Sequence, residues 1–220
     1  MSERDWYAWH AGYGNPRGSL SQRLSWVQDQ VRAALDRAPA GPLRAISLCA
    51  GQGHDLIGAL ADHPRAADVT ARLVELDPRN TVAATRLAAD AGLANVQIVT
   101  ADASLTSQYA DLAPADLVLV CGVFGNLTDA YIEATIGYCA QLCAQGGTVI
   151  WTRGRWEPDL VPQVCAWFEE RDFERAWLSR PDYGQCVGAH RRTAPPVPLD
   201  PGAVMFVFND HNIETGPPRV

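Results

Sequence analysis

From Leu43 to Asp77 the sequence sets out an apolar strand, the turn Cys49-Ala50-Gly51-Gln52-Gly53-His54-Asp55, a short helical stretch and a second apolar strand ending Leu73-Val74-Glu75-Leu76-Asp77. Gly51 and Gly53 let the backbone turn sharply and approach a ligand closely, and a helix opening at His54 points its free N–H groups toward whatever rests there. Glu75 arrives at the end of the second strand, where a carboxylate can accept hydrogen bonds from both hydroxyls of a ribose. The segment reads as a nucleotide-handling site.

The order continues along the chain. Asn95 to Thr100 predicts a third strand, delivering Ala101-Asp102-Ala103, and Asp116 to Cys121 predicts a fourth, whose near-continuous apolar run suits a central parallel strand covered on both faces. It ends in Gly122-Val123-Phe124-Gly125-Asn126. Thr128 to Ala144 reads as a helix with Thr128 as its N-cap, followed by a fifth strand at Thr148–Thr152. Another helix is expected over Pro162–Glu170. Two strands, Phe173–Ser179 and Gln185–Arg192, are joined so tightly at 180–184 that they must run antiparallel. The pattern calls for an α/β fold: an open, mostly parallel twisted sheet with helices on both faces and a reversed C-terminal strand pair. Asp77-Pro78 also has the form of a helix N-cap followed by proline at the first helical position.

A dinucleotide fingerprint needs a third glycine three residues after Gly53, and that position is Leu56. The turn resembles instead motif I of the class I S-adenosylmethionine-dependent methyltransferases, departing from it at Ser47, where an acid is common, and at Cys49, where the first glycine is common. The resemblance covers about residues 43–192. It implies that S-adenosylmethionine, leaving as S-adenosylhomocysteine, is held by Cys49, Ala50, Gly51, Gly53, Glu75, Asp77, Asp102, Ala103, Cys121 and Gly122. Asp102 takes the position that accepts from the adenine amino group, and the loop carrying Phe124 and Asn126 lies beside the transferred methyl. The activity implied is in-line methyl transfer to N or O of a small molecule, aromatic or heterocyclic. The same fold in RNA or protein methylation, or a non-catalytic protein that binds the cofactor or its demethylated product, are the alternatives, with a nicotinamide-dependent dehydrogenase more distant.

Ahead of the first strand lies material that such a core does not require. Ser19 and Gln22 have the spacing of a capping box, and Leu20, Leu24, Val27, Val31 and Leu35 follow at helical intervals until Pro39 and Pro42. Before that helix, two of the seven tryptophans and two of the six tyrosines fall within Asp5–Pro16. This aromatic and helical cap can fold as a lid, with Trp9 and Tyr13 as substrate walls and His10 as a general base; Asn126 is a second catalytic candidate. Arg153, on the glycine-hinged loop that also carries Arg155, suits a carboxylate or phosphate on the acceptor through forked hydrogen bonding. The divisions expected are a cap at 1–42, a core at 43–194 and a C-terminal extension at 195–220 with one more strand at Ala203–Phe208.

Composition narrows the partners. At 220 residues and 47% hydrophobic content, the chain can bury one good core. A net charge of −7 argues against a broad nucleic-acid footprint. No apolar run approaches the roughly 20 residues that span a bilayer, and the opening residues lack a signal-peptide core, so a cytoplasmic protein without membrane partners is expected, as monomer or homodimer. The six cysteines, Cys49, Cys121, Cys139, Cys143, Cys165 and Cys186, include no Cys-x-x-Cys pair, and no metal is expected. Cys139 and Cys143 read as buried hydrophobes one turn apart on a helix.

Overall fold

Alternation along the central strands decides the layering. In β4 (Ala115–Val120), Leu117 and Leu119 face one side of the sheet and Val118 and Val120 the other, all at most 2% exposed. A strand buried on both faces needs helices on both, which is why the run carries no polar alternation. The computed structural model describes residues 5–15, 18–181 and 184–208. In chain order these form α1 (Trp6–Trp9), α2 (Ser19–Arg37), β1 (Leu43–Leu48), α3 (His54–Leu60), β2 (Val69–Glu75), α4 (Pro78–Asp90), β3 (Val96–Thr100), β4, α5 (Asp129–Leu142), β5 (Cys143–Gly154), α6 (Val161–Glu169), β6 (Phe173–Leu178) and β7 (Gln185–Arg192).

Among the described residues the sheet has seven strands in the order β3-β2-β1-β4-β5-β7-β6. β1 to β5 pair in parallel, and β7 runs antiparallel to both β5 and β6, the reversed pair expected from the sequence. Val27 and Val31 of α2 and Leu56, Ile57 and Leu60 of α3 cover one face. Ile132 and Ile136 of α5 and Val164 and Phe168 of α6 cover the other. Parallel register places the carboxyl ends of β1, β2, β3, β4 and β5 along one rim, with Leu48 opposite Val74 and Glu75 opposite Thr100.

Several local expectations change. No capping box forms at Ser19: Gly18 is the N-cap, and Ser21 Oγ instead lies 2.7 Å from the Asn15 carbonyl and 3.0 Å from that of Tyr13, tying the preceding segment to α2. α5 ends at Leu142, so Cys143 begins β5 rather than sharing a helical face with Cys139. Both thiols are buried, and burial pushes Cys139 up to about 12. Ala203–Phe208 is not a strand. It makes one isolated bridge between Val204 and Leu105, with Met205 N–H donating to Ser104 O at 2.8 Å, because Met205 and Phe206 are drawn into the core instead of extending an edge. Residues 1–4, 16–17, 182–183 and 209–220 of the predicted cap, hairpin joint and extension lie outside the described residues.

Trp151 of β5 anchors the α5/α6 side, lying against Phe124 and Phe168 with its Nε1 donating to His190 Nδ1 at 3.0 Å. His190 is fully buried and stacks on Phe168 at 4.6 Å; burial, with Arg175 nearby, holds its pKa at about 3 against the ordinary 6.5. The unfolded chain therefore binds a proton that the folded chain refuses between those values. Stability should fall as pH drops through that window, by on the order of 4 kcal/mol in total. Urea titrations of a His190→Gln variant across pH should lose this part of the acid limb, and an unchanged slope would assign it elsewhere. Trp151→Ala should cost about 3–5 kcal/mol in the same assay at neutral pH.

Candidate active site

The turn after β1 is built on three residues with positive φ: Cys49 at 47°, Gly51 at 55° and Gly53 at 76°. Cys49 occupies a backbone conformation that favours glycine, which explains why the resembling motif has glycine there. At Gly53 the positive φ favours glycine, and an added Cβ would meet Ile57 Cδ1 at 2.5 Å and make that side chain shift. Ala50 N–H donates to Val74 O at 3.0 Å, stitching the turn to β2.

Glu75 completes the stitching through its side chain. Its Oε2 accepts from Gly51 N–H at 2.9 Å and its Oε1 from Asp77 N–H at 3.0 Å. Asp77 caps α4 through Arg79 N–H at 2.8 Å and pairs with the Arg79 guanidinium, which holds its carboxyl below the usual range. Asp102 follows β3, exposed, its Oδ1 accepting from Ser104 N–H at 2.9 Å, while Ala103 is buried beside it with its carbonyl accepting from Tyr109. Burial pushes the Cys49 thiol up, helped by the charges of Glu75 and Asp102, so the three residues share one corner of the rim. After β4, Gly122 N–H donates to Thr152 Oγ1 at 2.8 Å and Asn126 Nδ2 donates to Gly122 O at 2.7 Å. Asn126 thus shapes the loop.

The N-terminal segment lies on the glycine turn. His10 Nδ1 donates to Trp6 O at 2.7 Å, and Nε2 accepts from Gln52 N–H at 3.4 Å. With both nitrogens engaged, His10 is not a free base in this arrangement. Asp5 pairs with Arg79, whose guanidinium also lies 5.2 Å from the Tyr7 ring, clasping the segment to the start of α4. Trp9 and Tyr13 pack against His10 and flank Arg23 of α2.

A cleft of about 480 Å³ opens farther along the rim, lined by Leu127, Thr128, Asp129, Ala130, Arg153, Trp156, Pro158 and Leu160. Arg153 is 8% exposed; its Nη1 donates to Phe124 O at 2.6 Å, and its Nε is buried without a partner. Burial lowers its pKa, against which Asp129 and Asp159 act. The Trp156 ring stands 5.9 Å from its guanidinium carbon. Of the expected substrate residues, Arg153 alone lines this cleft. Phe124 is fully buried between Trp151 and Phe168, because an apolar side chain leaving a central strand is worth more in the core than on the rim.

A family model described as "Putative methyltransferase" matches residues 15–183. The chain belongs to that family. No curated protein matches it significantly. Solved structures share the methyltransferase fold. An O-methyltransferase family protein from Burkholderia thailandensis is 18% identical with a TM-score of 0.62, over 80% of this chain but 57% of the other, so the chain spans little more than half of that relative. Magnesium protoporphyrin IX methyltransferase from Synechocystis PCC 6803 is 14% identical with a TM-score of 0.63, over 88% of this chain and 100% of the other. The 1,6-didemethyltoxoflavin-N1-methyltransferase of Burkholderia thailandensis is 15% identical with a TM-score of 0.60, over 86% and 87%.

Two charged residues beside the glycine turn are not expected from the sequence. Arg23 is a buried charge on the apolar stripe of α2, four residues before Val27, a signal that was available. Asp55 sits in the first turn of α3 and had passed as part of the glycine turn. Among the described residues no cluster of His, Cys, Asp and Glu suited to a metal is found, and no helix is long and apolar enough to cross a membrane.

A Cβ at Gly51 would fall 2.2 Å from His10 Nε2. Gly51→Ala should therefore lift the segment at 5–15, seen as faster limited proteolysis there and altered Trp6 and Trp9 fluorescence. In a His10→Ala background the same change should add nothing.

Proposed function

We propose that this protein transfers a methyl group from S-adenosylmethionine to N or O of a small, flat molecule bound in the Arg153–Trp156 cleft. The observation that carries the reading is Glu75, whose carboxylate stands between the glycine turn and the end of β2 with both oxygens fixed by backbone N–H groups. A carboxylate held there meets the paired hydroxyls of a ribose with little further loss of freedom. Leu56 supports an adenosyl sulfonium over a dinucleotide: it is 1% exposed and fills the helix–strand contact that the dinucleotide fingerprint leaves to glycine. Asp102, exposed just after β3, suits the adenine amino group, and Cys121 and Gly122 follow β4 on the same rim.

The relatives lend support for the acceptor. The Synechocystis structure holds S-adenosylmethionine in an enzyme named for magnesium protoporphyrin IX, and the Burkholderia enzyme holds S-adenosylhomocysteine together with 1,6-didemethyltoxoflavin. Structures of comparable similarity include an rRNA methylase and a ribosomal protein L11 methylase, so the fold itself is neutral on acceptor class. A cleft of about 480 Å³ and a net charge of −7 favour the small molecule.

When bound, the sulfonium supplies a methyl group already activated for displacement. The protein's residues have to orient the acceptor and exclude water. Trp156 offers a flat wall, and Arg153, anchored through Phe124 O, lines the cleft with a guanidinium that can donate to an anionic substituent. Asn126 holds the Gly122 carbonyl and with it the loop between the two subsites. An acceptor with its own lone pair needs no base here, consistent with the engaged nitrogens of His10.

Calorimetric titration should show micromolar binding of S-adenosylmethionine and S-adenosylhomocysteine but not NAD, lost in Glu75→Ala; binding of NAD alone would overturn the reading. With an acceptor in hand, Arg153→Ala should raise its KM about tenfold or more while leaving cofactor affinity unchanged, the signature of a lost charge-assisted contact. Equal loss of both would assign Arg153 a structural role.

A further inference from the structure

Arg23 and Asp55 form an unfinished pair beside the glycine turn. Arg23 is 6% exposed, its Nη2 donates to the Tyr13 hydroxyl at 2.5 Å, and its Nε is buried with no partner. Trp9 and Tyr13 hold the guanidinium carbon 5.4 and 5.9 Å from their ring centroids. Asp55, two residues past Gly53, has its Oδ1 buried and equally without a partner. The two charges lie near enough for Arg23 to oppose the upward push that burial gives the Asp55 carboxyl, yet Arg23 Nε and Asp55 Oδ1 both stay unpaired. Cys121, at the end of β4, lies against Asp55, so the pair spans the mouth between the glycine turn and β4.

Opposite charges buried and held apart are costly unless something bridges them. A zwitterion does so from both ends. We propose that Arg23 and Asp55 read the amino-acid end of the cofactor, the guanidinium taking the α-carboxylate and Asp55 the α-ammonium, with the Tyr13 hydroxyl holding Arg23 until the carboxylate arrives. This rests on the S-adenosylmethionine reading and deepens it. Tyr13 suits the holding role: burial pushes its phenol up to about 12, so it stays a neutral oxygen that a carboxylate outcompetes as acceptor. The His10 ring, which accepts from Gln52 N–H, belongs to the same segment as Tyr13. A purely structural Arg23 would support every adenosyl ligand alike, whereas a zwitterion reader distinguishes ligands by their amino-acid end.

The test is calorimetric titration with S-adenosylhomocysteine and with 5′-methylthioadenosine, the same nucleoside thioether without the amino-acid end, on wild type, Arg23→Met and Asp55→Asn, plus S-adenosylmethionine against its decarboxylated form on wild type. Wild type should bind S-adenosylhomocysteine about tenfold or more tightly than methylthioadenosine, and each variant should lose most of that difference with methylthioadenosine unchanged. Decarboxylation should cost wild type about tenfold or more. Equal weakening of both thioethers, or unaltered S-adenosylhomocysteine affinity in Arg23→Met, overturns the assignment. If Arg23→Met does not fold, equal wild-type affinity for the carboxylated and decarboxylated sulfonium overturns it. Wild type that binds both thioethers equally refutes this pair and leaves the cofactor reading standing; wild type that binds neither refutes both.

Discussion

Both oxygens of Glu75 are occupied by backbone N–H groups, one from the turn after β1 and one from the residue that caps α4. A carboxylate with two such donors is held as part of the main chain rather than as a side chain. The consequences spread from there. The turn is held over the end of β2, α3 starts at a fixed angle, and the Asp77 cap sets where α4 begins. The rim at the ends of β1 and β2 is therefore largely formed in advance, and a ligand that docks there spends little on ordering it.

The sheet supplies the frame for that contact. Parallel pairing of β1 to β5 brings five strand ends to one rim, and the two-sided burial of β4 and β1 leaves no freedom to slip, since a shift of one residue would exchange the two faces. Reversal at β7 then extends the sheet beyond β5 with a strand that contributes Val187 and Ala189 to one face and Cys186 to the other, and β6 forms the edge. The strand-end rim and the core thus meet at Trp151 and Phe124: Trp151 belongs wholly to the core, and Phe124 belongs to the core through its ring while its carbonyl holds Arg153, which lines the cleft.

The N-terminal segment adds a second layer that the core does not need. It is held by polar contacts, Asp5 to Arg79, His10 to Gln52 and Tyr13 to Arg23, rather than by a buried apolar face. Exposed ion pairs and single hydrogen bonds of this kind are worth little each and exchange readily for a ligand's own groups. Such a layer is suited to give way when a ligand presents better acceptors, while the apolar packing of Val27 and Val31 keeps α2, and Arg23 with it, in place.

Most of the fold was legible in the chain because its signals are local. Strand runs, the Gly51–Gly53 turn, Leu56, and the caps at Asp77 and Thr128 depend on residues a few positions apart, and period and turn chemistry act at that range. Glu75 and Asp102 were likewise placed by their positions at strand ends. What only the tertiary structure decided are matters of long-range packing. Phe124 turned inward because Trp151 and Phe168 offered a better environment than the rim, and Ala203–Phe208 gave up strand pairing because Met205 and Phe206 found space in the core. Arg23 and Asp55, thirty-two residues apart in sequence, come together only because α2 and α3 pack on the same face of the sheet. Local rules determine which elements form and where they end; which side chains meet at their ends is settled by how the elements pack.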